Sequence, residues 1–224
     1  MSQSIITIDG PAGVGKSTVA RMLAHELGAV FLDTGATYRA LTLAAMRAGA
    51  DLKNTRAILD VMKQTTFDYV HQDDVLKVLI NGQDATQQIR EPDVTENVKH
   101  IASQPELRAE LVRLQKAFAG QFEKVVTEGR DQGTVVFPDA AFKFFLIADP
   151  QERARRRYDE LKAAGKEVDL ETLTRQIVER DASDQNRTIS PLKPADDAVI
   201  IDTTTLDVED VVNKMLEVIE RQHD

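Results

Sequence analysis

The sequence predicts an α/β protein built on a parallel sheet with helices on both faces, carrying a small antiparallel insert. Three observations predict it. Short apolar runs alternate with helical patterns from the amino terminus onward, a glycine-rich loop joins the first run to the first helix, and between about 65 and 90 two strand-like runs follow each other directly.

The β-branched run Ile5–Ile8 reads as a buried strand, and Val19, Met22, Leu23 and Leu27 fall at helical spacing up to a stop at Gly28. Val30–Leu32 is a second strand ending in Asp33-Thr34-Gly35, and the alanine-rich Ala36–Ala48 a second helix closed by Gly49. Phe67, Tyr69 and Val70, then Val75–Ile80, are the insert's strands around His71–Asp74, with Asn81-Gly82 as a further turn signal. Helical patterns cover Pro92–Ala102 and Pro105–Phe122, and Val125-Val126-Thr127 and Phe142–Ala148 are buried strands. A basic helix starts near Pro150, another runs over Leu170–Asp181, Val199–Ile201 is the last strand, and Val208–Ile219 the closing helix. With no repeat, low-complexity tract or long linker, one core at 1–64 and 103–224 with an insert at 65–102 is expected.

Composition removes whole classes of function. At 224 residues, 42% hydrophobic and 29% charged, the chain is neither disordered nor collagen-like. Its apolar runs stay far below the ~20 residues that span a bilayer, and no basic segment followed by an apolar one opens it, so a soluble cytoplasmic protein without a membrane partner is expected. The absence of cysteine removes disulfides, thiolate metal sites and cysteine nucleophiles. Thirty-seven acids against 28 bases give a formal charge of -9, which argues against nucleic acid as a partner and makes any phosphate site local.

Gly10-Pro11-Ala12-Gly13-Val14-Gly15-Lys16-Ser17 matches G-x-x-x-x-G-K-[ST] in full, between a strand and a helix as a phosphate-binding loop requires. Glycines let backbone N–H groups approach a polyphosphate, and the helix amino terminus favours the anion. Lys16 is placed to reach the β and γ phosphates of ATP and Ser17 to ligate Mg²⁺, while Thr18 either touches the α phosphate or is a plain first-turn residue. The loop admits a kinase, a GTPase switch or a regulatory ATPase. The only Asn-Lys pair, Asn213-Lys214, continues Met215-Leu216 and makes no guanine-reading box, so the switch loses ground.

Arginine concentrates in a few segments of this acidic chain: Arg39, Arg130, Arg153, Arg155, Arg156 and Arg157 together, then Arg180 and Arg187. A planar guanidinium donates two hydrogen bonds at once and keeps its charge, which suits phosphate. These residues still allow a kinase for a small hydroxylated metabolite, with Asp33 or Asp131 orienting an alcohol, or a nucleotide-binding regulator without turnover.

The P-loop together with Asp33–Arg39, Gly129–Ala140 and Glu179-Arg180-Asp181 through Asn186-Arg187 resembles the bacterial cytidylate kinases, in the right order over nearly the whole chain. The resemblance implies a nucleoside monophosphate kinase: a P-loop three-layer α/β/α core with a five-stranded parallel sheet, a CMP-binding insert containing the antiparallel strands, and a helical lid at about 150–168. It implies transfer of the γ-phosphoryl group of ATP to CMP or dCMP, with Mg²⁺, by a monomer. Carried over by position, Thr34, Arg39, Arg130, Arg180 and Arg187 surround the CMP phosphate and the transferring group, Tyr38 belongs to the CMP site, Asp184 contacts the ribose, and Arg108 and Asp131 read cytosine. Lys16, Arg130, Arg156 and Arg180 are the implied catalytic set. For the base readers chemistry agrees, since a carboxylate accepts from the cytosine N4 amine where uracil offers a carbonyl. Two positions depart from the pattern. Lys99 stands where the family has a base-contacting serine, with Ser103 nearby as a substitute, and Gln132 replaces an apolar residue.

Overall fold

The structure, a computed structural model, describes residues 3–72, 75–163 and 165–221. Strands β1 (Ser4–Asp9), β2 (Val30–Asp33), β6 (Lys124–Gly129), β7 (Phe142–Ile147) and β8 (Val199–Asp202) form one parallel sheet in the order β2-β6-β1-β7-β8. β3 (Phe67–Gln72), β4 (Val75–Ile80) and β5 (Gln83–Asp84) form a separate antiparallel sheet. Among the described residues no helix is long and apolar enough to cross a membrane.

The chain divides into two compact units, one essentially Ala29–Val125, the other Ser4–Gly28 with Val126–Asp224. The expected insert, 65–102, lies wholly inside the first unit, which extends beyond it on both sides.

In the first unit α2 (Thr34–Arg47) is the central helix, buried on opposite faces. Ala36, Ala40, Leu43 and Ala44 pack with Val78, Ile80, Ile89 and Val94. Tyr38, Leu41 and Ala45 pack with Ile58, Ile101, Leu107 and Leu111. A helix covered nearly all round needs small residues where neighbours approach closely, which accounts for its alanines. It starts two residues before the expected Ala36, because Asp33 caps it by accepting from Ala36 N at 2.9 Å. The hairpin strands Phe67–Gln72 and Val75–Ile80 pair as expected, and the 3₁₀ turn Gln88–Arg90 leads to α4 (Pro92–Ala102) and α5 (Pro105–Ala119). Of the turn expected over His71–Asp74, His71 and Gln72 instead extend β3, pairing with Leu76 and Val75, and positions 73 and 74 lie outside the described residues. One helix escaped the sequence reading: α3 (Thr55–Gln64), capped by Asn54 and buried only at Ile58.

In the second unit β1, β7 and β8 run parallel, with Ile6 opposite Phe142 and Phe144 opposite Val199. Ile6, Thr7, Ile8 and Asp9 of β1 are all buried, as expected of a strand covered on both faces. α1 (Lys16–Glu26), α6 (Pro150–Ala163), α7 (Leu170–Gln185) and α8 (Val208–Arg221) complete it, α7 running four residues past the expected end. Between β6 and β7 a π-helical turn, Gln132–Val136, stands where no regular element was expected.

Gly10 fixes how β1 leaves the sheet. Its φ is +148°, and a Cβ there would lie 2.3 Å from the carbonyl oxygen of Leu146. Gly10→Ala should therefore destabilise the protein by about 2–4 kcal/mol, read as a lower urea midpoint with an unchanged slope. An unchanged midpoint would mean that the chain accommodates the methyl group by a cheap local shift.

Candidate active site

β1 delivers the chain to Gly10, and α1 begins at Lys16, so the loop between them is the helix's entry. Gly13 and Gly15 have φ of +78° and +88°, a conformation in which glycine carries no Cβ penalty. Val14 and Lys16 are buried while Gly13 and Thr18 are exposed. The Lys16 ammonium donates to the Pro11 carbonyl at 2.7 Å. Burial, reinforced by the charge of Arg130, pulls its pKa down to about 7, with Glu128 and Asp9 acting in the opposite direction. The next side chain, Ser17, donates from Oγ to Glu128 Oε1 at 2.8 Å.

Asp9, the last residue of β1, is 4% exposed and accepts from the backbone N–H groups of Gln132 and Gly133, both at 2.8 Å. This ties the segment carrying Arg130 and Asp131 to the strand that leads into the P-loop. Asp131 is buried and makes no side-chain capping bond to the π turn, so it is not a mere cap. Gln132, the unexplained departure, is buried with its Oε1 accepting from Thr127 Oγ1 at 3.1 Å, which satisfies the amide oxygen in the interior.

α7 supplies carboxylates. Asp184 accepts from Arg130 Nε at 3.1 Å and from Arg187, so both of its oxygens are engaged by guanidinium groups. Arg180 acts on Lys16 by charge from the same helix. On α6, Arg153 is buried, Arg155 and Arg157 pair with acids one turn away, and Arg156 donates to the Thr203 and Thr204 carbonyls at 2.6 and 3.1 Å.

The first unit holds a second group of expected residues. Thr34 opens α2 beside Asp33, whose carboxylate accepts from Arg39 at 2.9 Å and from Arg90 at 3.3 Å. Arg108 stacks over the Tyr38 ring at 5.5 Å, and its Nη1 donates to the Ala102 carbonyl at 3.4 Å, at the end of α4. Gln115, one face of α5 with Arg108, donates to Thr37 Oγ1 at 2.7 Å, and Thr37 donates to the Thr34 carbonyl. Lys99 is exposed in the last turn of α4, and Ser103 caps that helix with its hydroxyl donating to His100 O at 3.2 Å.

The structure thus gathers Lys16, Ser17, Arg130, Asp131, Arg180, Asp184 and Arg187 in one unit and Thr34, Tyr38, Arg39 and Arg108 in the other. Sequence reasoning missed Asp9, Glu128, Arg90 and Asp33's part in holding the arginines. A signal existed for two of them: each is an acid closing an otherwise apolar strand, at the carboxyl end where α/β sheets bind ligands.

The sequence profile of cytidylate kinase matches residues 6–221. The chain belongs to the cytidylate kinase family. The cytidylate kinase of Carboxydothermus hydrogenoformans is 46% identical over 98% of each chain. That of Vibrio cholerae is 41% identical over 96% of each. Crystal structures of TT1252 from Thermus thermophilus (17% identical, TM-score 0.51, 97% and 98% coverage) and of an uncharacterized Eubacterium ventriosum protein (16%, 0.50, 98% and 99%) share the fold.

For a cytidylate kinase the implied metal is Mg²⁺, which takes hard oxygen ligands near octahedral geometry. The Ser17 hydroxyl against the buried Glu128 carboxylate fits that demand. Among the described residues no three His, Cys, Asp or Glu side chains cluster as a metal cage.

Burial pushes the Asp9 carboxyl from 3.8 up to about 6, against the lowering effect of its two amide donors. The folded value lies above the unfolded one, so as pH falls the folded state takes up this proton first. The cost of burying the carboxylate is then relieved between about pH 6 and 4, worth about 3 kcal/mol. Wild type should therefore gain thermal midpoint relative to Asp9→Asn as pH drops from 7 to 4. A constant or shrinking difference would show that the amide hydrogen bonds outweigh the burial.

Proposed function

We propose that the protein transfers the γ-phosphoryl group of ATP to CMP, and to dCMP, giving ADP and CDP or dCDP. The reading is carried by membership of the cytidylate kinase family over residues 6–221, with an intact P-loop at Gly10–Ser17. An oxygen of the acceptor phosphate forms the new bond to the γ phosphorus as the bond to the ADP oxygen breaks. A phosphate monoester with a second pKa near ~6 is already mostly dianionic at neutral pH, so no general base is needed. What remains is alignment, charge neutralisation and exclusion of water.

Lys16 and the N–H groups of the P-loop take the ATP phosphates, with Arg130, Arg156 and Arg180 neutralising charge during transfer. Thr34, Tyr38, Arg39 and Arg187 hold the acceptor phosphate. Ser17 and Glu128 would hold Mg²⁺, which would supply charge neutralisation to the ATP phosphates. Arg108 and Asp131 read the base, and Asp184 serves the sugar and keeps Arg130 and Arg187 oriented. The segment at about 150–168, which opens with the helix from Pro150 and has Gly165 as hinge, is the lid. The protein works as a cytoplasmic monomer in pyrimidine nucleotide metabolism.

Incubation with Mg-ATP and a panel of CMP, dCMP, UMP, AMP and small alcohols, following ADP release, tests the reading. No CMP-dependent ADP would sink it, and release with an alcohol alone would favour a metabolite kinase. Lys16→Met should lower kcat by about 10²-fold or more, because the lost cation acts on charge that develops in transfer. Its thermal midpoint should stay at or above wild type, since a buried ammonium with a pKa near 7 costs stability at neutral pH. A variant that keeps a tenth of wild-type turnover removes Lys16 from the mechanism. Asp131→Asn should erode the preference for CMP over UMP, because an amide offers either a donor or an acceptor to position 4 of the pyrimidine. An unchanged ratio of kcat/KM takes Asp131 out of base reading.

A further inference from the structure

Arg153 sits in the arginine-rich helix α6, yet its guanidinium is turned inward and fully spoken for. Its side chain is 3% exposed, against 58% and 54% for Arg155 and Arg157, which separates it from any cation offered to solvent or substrate. Nε donates to the Ala148 carbonyl at 3.0 Å, Nη1 to the Ala12 carbonyl at 2.9 Å, and Nη2 to the Asp181 carboxylate on α7. One planar group therefore joins the segment after β7, the phosphate-binding loop and α7.

The contact to Ala12 has a directional consequence. In a trans peptide the C=O and N–H of one unit point in opposite directions, so a carbonyl drawn to one side aims the following N–H to the other. Arg153 draws the Ala12 oxygen toward the buried side of the loop. The N–H of Gly13, an exposed residue with φ of +78°, then faces the open side. Backbone N–H groups on that side are what bind a polyphosphate.

We propose that Arg153 is a positioning residue for ATP, presetting the Gly13 N–H through the Ala12 carbonyl, with Asp181 holding the guanidinium in place. Asp181 adds a second observation. Its Oδ1 is buried with no hydrogen-bond partner among the described residues, so the Arg153 guanidinium is what engages this carboxylate through Oδ2. Lysine cannot replace this arginine, because a single ammonium cannot meet three acceptors in the plane of a guanidinium. The same helix, α7, carries Asp184, which holds Arg130 and Arg187, so one element sets the aim of both backbone and side-chain donors.

The proposal rests on the reading of Gly10–Ser17 as the ATP site, and the test separates the two. Dissociation constants for ATP, adenosine and CMP are measured by calorimetry on wild type, Arg153→Lys, Arg153→Met and Asp181→Asn, each with its thermal midpoint. Failure of wild type to bind ATP would defeat the reading of the site itself. If wild type binds, both Arg153 variants should weaken ATP tenfold or more while adenosine and CMP stay within twofold. Asp181→Asn, which keeps an acceptor of the same shape but loses the charge, should weaken ATP about threefold. A uniform loss for all three ligands, or unchanged ATP affinity, would make Arg153 a structural brace only. Should Arg153→Met fail to fold, Asp181→Asn decides: a lowered midpoint with wild-type ATP affinity overturns the proposal.

Discussion

A protein that binds polyphosphate must hold several cations close together in a partly dry place before any phosphate arrives. That constraint organises this molecule. Lys16 is buried between Arg130 and Arg180 on one side of the account and Glu128 and Asp9 on the other, and its pKa falls to about 7 because burial and like charge prevail. Five arginines have a resident carboxylate, Arg39 and Arg90 sharing Asp33, Arg130 and Arg187 sharing Asp184, and Arg153 having Asp181, while the buried Arg108 lies over the Tyr38 ring. The carboxylates keep the guanidinium groups oriented and partly neutralised, at a desolvation cost that a less functional interior would avoid. An acidic chain with a net charge of -9 and a phosphate-binding function are therefore compatible, since part of the acid is placed behind the cations.

Much of the fold was legible because its signals are local. The strand–loop–helix at Ile5–Leu27, the alternation that follows, and the hairpin before Asn81-Gly82 are periodic patterns bounded by turn residues, and periodicity survives whatever packs on it. The features missed depend on partners. Helix α3 is the exception: it carries a short apolar stripe of its own, Ile58, Leu59, Val61 and Met62, which with the Asn54 cap was a local signal left unread. The early start of α2 follows from a capping bond at Asp33, and the π turn follows from Asp9 fixing the amides of Gln132 and Gly133. Neither is written in hydropathy.

The site divides in the same way. The P-loop is contiguous, so its residues and their order were visible, and the arginines stood out by type in an acidic chain. What holds them was not visible, because those bonds join positions far apart: Ser17 to Glu128 spans 111 residues, Asp9 to Gln132 spans 123, and Arg90 to Asp33 spans 57. An isolated acid gives no hint of which cation it faces. Gln132 looked anomalous for a related reason, since its partner Thr127 lies on a strand whose inward face only the fold defines.

The double-sided burial of α2 bears on how this family can diverge. Its residues serve two cores at once, with Ala36, Ala40 and Ala44 turned to one and Tyr38, Leu41 and Ala45 to the other. Enlarging a residue on either face displaces the helix axis toward the opposite core, so an accepted change must be matched across two sets of neighbours rather than one. Substitutions along this helix are therefore coupled across both cores, and the segment that opens with Thr34 and carries Arg39 is held from two sides at once.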